Sequence, residues 1–210
     1  MLNGVSKTIN SEKARNILFA ANAIAITMPG SKLDQYALKE SWLARFPMYD
    51  WIGGRTSLWS SVGLLPFALL GFEIQQLLNG ARDLDLICRS QNILDNPALQ
   101  LATYWYQEAE GKAKKDLVVL PYADRLDLFS KYLQQLIMES LGKEHDLNGQ
   151  IVNQGLTVFG NKGSTDQHSY IQQLRSGANN FFAIFLSKQA GSGSWSICKI
   201  LMPASVKSVC

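Results

Sequence analysis

LVVLPYADRLDLFSKYLQQLIMESLG, residues 117–142, is the segment from which the fold class can be read. Leu117-Val118-Val119-Leu120 is a short, continuous apolar run, and Pro121 closes it because proline cannot carry on a central strand. From Leu126 to Ser140 the pattern changes. Phe129, Leu133, Leu136 and Ile137 recur at spacings of three and four, Lys131 and Gln134 fall off that stripe, and Gly142 is a natural stop. A buried strand feeding an amphipathic helix predicts an α/β protein with a mostly parallel sheet.

Strand-like and helical segments alternate on both sides of this stretch. Upstream, Asn22 to Thr27 reads as a buried strand closed by Pro29-Gly30, and Leu38, Trp42 and Phe46 carry helical spacing. Ser57 to Leu78 reads as a long helical stretch kinked or broken at Pro66, and Asp85 to Gln107 as further helix. Lys112, Lys114 and Lys115 make a polar connector, and the abrupt change to Leu117 places the main domain boundary there. Downstream, the polar loop Gly160 to Asp166 leads into a helix over Gln167 to Leu174, and Phe181 to Leu186 reads as another buried strand. Residues 187–210 differ in kind: Gly191-Ser192-Gly193-Ser194 is followed by small and apolar residues without a period, so this tail is expected to lie outside the fold.

Composition narrows the function classes. Among the 210 residues 47% are apolar and 18% charged, the balance of a globular chain long enough to bury a core. A net charge of +3 with no basic stripe interleaved with aromatics argues against a nucleic-acid partner. The longest apolar run, Val62 to Phe72, is interrupted by Pro66 and too short for a bilayer, and the N-terminus is not built like a secretory signal. Cys88, Cys198 and Cys210 are few, odd in number and not at metal-ligand spacing. A soluble intracellular protein without disulfides or a membrane partner is the expectation.

Four groups of residues have the makings of a site. Ser6-Lys7-Thr8 and Ser11 stand at the entrance to a predicted helix, where free N–H groups and the dipole favour an anion; ordinary capping is the plainer explanation. Gly53-Gly54-Arg55-Thr56-Ser57 combines close backbone approach with a planar cation for an oxyanion, or is a loop with a solvated arginine. Glu139, with Gln135 one turn earlier, sits near a helix C-terminus; a carboxylate there and away from water suits a general base, although a solvated glutamate is the commoner finding. His168 lies just inside a helix after the polar loop, as a proton-transfer group near neutral pH or as a structural histidine. Spacing does not choose between these alternatives.

Read as strings, these segments resemble one family. DWIGGRTSLWSSVGLLPFAL (50–69), LPYADRLDLFSKYLQQLIMESLGKE (120–144) and VNQGLTVFGNKGSTDQHSYIQQLR (152–175) are similar to the arginine, glutamate and histidine segments of glucose-6-phosphate isomerases, in bacterial and plastid-type wording. The resemblance runs from about Val5 to Leu186. It implies a parallel-sheet sandwich of the sugar-isomerase (SIS) type, truncated at both ends. Residues 1–80 would be the second part of one SIS domain, 81–115 a helical connector, 116–186 the first part of a second SIS domain, and 187–210 a non-homologous tail.

The resemblance also implies roles. Ser6, Lys7, Thr8 and Ser11 would cradle a sugar phosphate, with Gln135 near it. Gly54 and Arg55 would face the reacting carbons and the enediolate charge, Glu139 would move a proton between C2 and C1, and His168, reaching over from the neighbouring subunit of a homodimer, would assist ring opening. No cofactor or metal is implied. Thr56 stands where many relatives carry an aromatic residue, and Ile9 and Asn10 where glycines are usual. Relative to the family, the Gly- and Ser-containing opening of the first SIS domain and a C-terminal region with a lysine and a glutamine are absent, and the tail reads like a shifted reading frame or an unremoved non-coding stretch. The expectation is a sugar-phosphate isomerase of cytoplasm or plastid whose 210-residue form has little activity. A non-catalytic sugar-phosphate-binding SIS module and an inert fragment are the alternatives.

Overall fold

The structure is a computed structural model and describes residues 19–188 and 195–201. It divides into two compact units, Met1–Asp83 and Leu84–Cys210. Parallel strands with intervening helices make the fold α/β, as predicted.

In the first unit, helix α1 (Phe19–Asn22), strand β1 (Ile24–Thr27), helix α2 (Lys32–Lys39) and strand β2 (Ala44–Pro47) form a strand–helix–strand unit. The strands pair in parallel, Ile24 opposite Ala44 through Thr27 opposite Pro47. Ala25 on β1 and Ala37 on α2 are each 1% exposed; small side chains let the helix lie close on the sheet. Ser31 caps α2 by accepting the Asp34 N–H.

The helix predicted through Leu38, Trp42 and Phe46 does not form. α2 ends at Lys39, Ser41 takes a left-handed backbone (φ 51°), and Phe46 belongs to β2. Trp42 meets Phe19 and Tyr36 edge-on at 5.2 and 6.0 Å, so its spacing reflects an aromatic cluster rather than a helix face. A 3-10 turn (Gly54–Trp59), helix α3 (Ser61–Leu69) and helix α4 (Ile74–Cys88) replace the single long helix expected. The break falls at Gly71 (φ 80°), while Pro66 is accommodated inside α3.

The second unit carries a four-stranded sheet. After α4 a 3-10 turn (Ile93–Asp95) leads to helix α5 (Pro97–Glu108), so the predicted stretch 85–107 is split at Asn92 and Asn96, both side-chain caps. Strand β3 (Asp116–Pro121) follows and a 3-10 turn (Asp124–Leu126) leads into a helix, α6, made of three turns in succession. An α-helical turn (Phe129–Leu133), a π-helical turn (Gln134–Met138) and a final α-helical turn (Glu139–Leu141) compose it. A hairpin of β4 (Lys143–His145) and β5 (Ile151–Gln154) precedes β6 (Val158–Phe159), helix α7 (Gln167–Ser176), β7 (Phe181–Lys188) and β8 (Trp195–Leu201).

The strand order is β6-β3-β7-β8; β3 is parallel to both neighbours, and β8 runs antiparallel to β7. The tail, set apart by sequence, thus supplies a strand on the β7 side of the sheet.

β3 alternates between two cores. Leu117 and Val119, at 0% exposure, face a cluster with Val158, Phe182, Ile184 and Ile137, against which Leu101, Trp105 and Leu133 pack. Val118 and Leu120 face the other cluster, with Ala183, Phe185 and Leu174, against which Tyr170 and Ile171 pack. Helices α5 and α6 therefore cover one face of the sheet and α7 the opposite face. This is why the Leu-Val-Val-Leu run is continuously apolar: both faces of the strand are buried.

Candidate active site

The first unit positions Arg55. Gly53 caps the 3-10 turn, the Thr56 hydroxyl donates to Gly53 O at 3.2 Å, and the Ser57 hydroxyl donates to Gly54 O at 2.8 Å. The turn is pinned to α3 at Gly63, where a Cβ would lie 2.3 Å from Leu58 O, so a side chain there would force the two apart. Arg55 is half-buried. At Gly54 nothing lies within 4 Å of where a Cβ would stand, so packing among the described residues does not ask for glycine there. Ser6, Lys7, Thr8 and Ser11 lie outside the described residues.

In the second unit α6 presents Gln135 and Glu139. The Gln135 Nε2–H donates to Glu139 Oε2 at 3.3 Å, joining the π-helical turn to the final turn. Such wide turns, uncommon in helices, recur at functional sites. Glu139 is exposed, the solvated one of the two alternatives that spacing left open. The reason is geometric. Leu133 and Ile137 turn to the sheet, and residues two further along each point to the other side of the helix. Ser130 on the same helix is buried and donates to Gly160 O at 3.1 Å, tying α6 to the end of β6.

His168 is the second residue of α7 and is exposed. Because α6 and α7 cover opposite faces of the sheet, one copy of this unit displays Glu139 and His168 from opposite sides. The structure brings Gln135 to Glu139 and does not bring His168 to them on a shared face.

Around His168 the structure holds residues that the sequence reading passed over. The loop after β6 meets the loop after β3 at the C-terminal ends of parallel strands, where α/β folds place their ligands. Lys162 Nζ pairs with Asp124 Oδ1, Lys162 N–H donates to Asp166 Oδ2 at 3.1 Å, and Gln167 Nε2–H donates to Tyr122 Oη at 3.0 Å. The hydrogen bond from Lys162 holds the Asp124 carboxyl below its usual range, and the same bond raises the Lys162 ammonium. The only hint in the sequence was polarity. The β4–β5 hairpin, also missed, had an available signal in Asn148-Gly149, the favoured hairpin dipeptide.

No helix among the described residues is long and apolar enough to cross a membrane, and no cluster of three or more metal-ligating side chains occurs among them.

Comparison with known proteins adds to this geometry. The Phosphoglucose isomerase family model matches residues 3–192. The glucose-6-phosphate isomerase of Rippkaea orientalis is 58% identical over 184 residues, which make up 88% of this chain and 35% of that protein. Glucose-6-phosphate isomerase 1, chloroplastic, of Arabidopsis thaliana is 57% identical over 88% of this chain and 30% of its own length. Among solved structures, a glucose-6-phosphate isomerase from Chlamydia trachomatis matches with a TM-score of 0.74 at 27% identity, covering 97% of this chain and 40% of that one. A hypothetical protein from Thermus thermophilus matches with a TM-score of 0.75 at 28% identity, over 88% and 42% of the two chains. The chain spans about a third of the length of the curated relatives it matches.

Proposed function

The chain belongs to the phosphoglucose isomerase family, and on that premise we propose that it carries the central catalytic residues of an enzyme interconverting glucose 6-phosphate and fructose 6-phosphate. The observation that carries the reading is the Gln135–Glu139 pair on the outward side of α6, within the residues 3–192 that the family model matches. A base that serves two adjacent carbons must be open to the substrate, and Glu139 is.

The chemistry follows from the residue types. Glu139 takes the proton from C2 of the open-chain aldose, the electrons move into a C1–C2 enediolate, and the same carboxyl returns the proton to C1. Arg55 offers a fixed guanidinium for the oxyanion. Ser6, Lys7, Thr8, Ser11 and Gln135 hold the distal phosphate so that both carbons stay in reach, and Gly54 leaves room for the substrate backbone. His168 assists ring opening. Its display on the opposite sheet face from Glu139 supports a homodimer in which each site borrows the partner's histidine. The SIS-domain division at 1–80, 81–115 and 116–186, and a cytoplasmic or plastid setting in sugar-phosphate metabolism, belong to the same proposal.

Two proteins test it by coupled detection of glucose 6-phosphate formed from fructose 6-phosphate. One is the 210-residue chain; the other is the Rippkaea orientalis enzyme with its matching 184 residues replaced by those of this chain. The graft is expected to turn over and the isolated chain to show little activity. In the graft, Glu139→Gln should lower kcat by roughly 10²- to 10⁴-fold, the usual contribution of a positioned acid–base group, with KM little changed. A graft that binds sugar phosphate but is unaffected by Glu139→Gln would refute the assignment.

A further inference from the structure

Tyr122 follows the last residue of β3, and three parts of the second unit meet on its side chain. The ring stacks on Phe185 of β7, with centroids 5.8 Å apart and 24° between the planes. Its hydroxyl accepts the Gln167 Nε2–H at 3.0 Å, and Gln167 immediately precedes His168. The ring also covers the backbone of buried Gly163, whose N–H donates to Pro121 O at 2.7 Å; a Cβ on Gly163 would stand 2.6 Å from the ring carbons. One aromatic side chain thus fixes the entry to α7 against two strands of the sheet.

We propose that Tyr122 is a positioning residue for His168, acting through the Gln167 bond and the Gly163 backbone to set where α7 begins. The proposal rests on the role given to His168 above. Ring packing by itself is a role that phenylalanine would fill equally well; the hydroxyl is what phenylalanine lacks, and at 40% exposure Tyr122 is not simply core filling. Lys162 braces the same loop, its carbonyl accepting from the Tyr170 hydroxyl at 3.4 Å, so that the loop is held from both sides of Gly163.

Hydrogen exchange on the 210-residue chain reads the contact directly. Tyr122→Phe and Gln167→Leu should each speed exchange of the α7 amides several-fold while β3 and β7 exchange as before. The double variant should match either single one, because both remove one bond. Gly163→Ala, which pushes on the ring with the hydroxyl still present, should loosen the same helix. In the active graft, Tyr122→Phe should lower kcat several-fold at unchanged KM. Unaltered α7 exchange in Tyr122→Phe overturns the proposal, as does altered exchange with unaltered kcat. A graft without turnover, by contrast, overturns the isomerase reading and is told apart by the exchange result.

Discussion

Asp34 shows how much local structure a single carboxylate organises in the first unit. It accepts the Gly30 N–H at 2.8 Å and pairs with Arg45 of β2, so it ties the turn before α2 to the neighbouring strand. The Gly30 hydrogen bond, with help from Arg45, holds its carboxyl below the ordinary aspartate value of 3.8. With the folded value depressed, the unfolded chain binds the proton first on acidification. The stability it contributes is therefore complete above that ordinary value and lost as pH falls through the folded one. Asp34→Asn should melt at a lower temperature at neutral pH, and thermal melts at a series of pH values should show the gap to the unaltered chain closing in acid below 3.8. A gap independent of pH would contradict the assignment. At this scale the sequence showed which residues were candidates, but not their surroundings. Glu139 was among them, and the choice between a buried and an open carboxylate depended on which side of α6 met the sheet.

The elements of the second unit were the most legible, because burial on both faces of β3 leaves an unmistakable apolar run and α6 carries a regular stripe. Leu117→Ala removes a side chain with 0% exposure from the middle of that sheet and should cost about 3 kcal/mol in urea unfolding. Leu147→Ala, in the hairpin turn and fully exposed, should change stability by less than about 0.5 kcal/mol. Asn96 is a second test of an element boundary. It caps α5 by accepting the Leu99 N–H, and donates to Cys88 O and Ser90 O at 2.7 and 2.8 Å, joining the end of α4 to the start of α5 while only 3% exposed. Asn96→Ala should cost about 2 kcal/mol, because a cap is lost and two carbonyls lose their donor. Short elements were the illegible ones. The four residues of β2 are too few to show alternation, and Phe46 falls by coincidence in helical register with Trp42. The three-residue β4 is polar throughout and reads as loop.

For the whole molecule, the relevant observation is apolar surface. Trp51, Leu69, Leu70, Leu94 and Tyr106 are between 71% and 77% exposed, in a chain that spans about a third of the length of its curated relatives. Where such side chains adjoin, as Leu69 and Leu70 do in sequence, exposed apolar surface favours association with other protein. The 210-residue chain should therefore bind a hydrophobic-surface dye and scatter light increasingly with concentration, whereas the graft should do neither. A dye-silent, monodisperse chain would show that these side chains need no cover. Legible in the residues alone were the doubly buried strand β3, the amphipathic stripe of α6 and the chemistry available, since periodicity and residue type are local properties. It took the packed fold to expose Glu139, to put α7 and His168 on the opposite side of the sheet, and to bring Tyr122 against Gln167 and Gly163. Each of these depends on which faces of distant segments meet, and that is settled by packing rather than by any stretch of the chain.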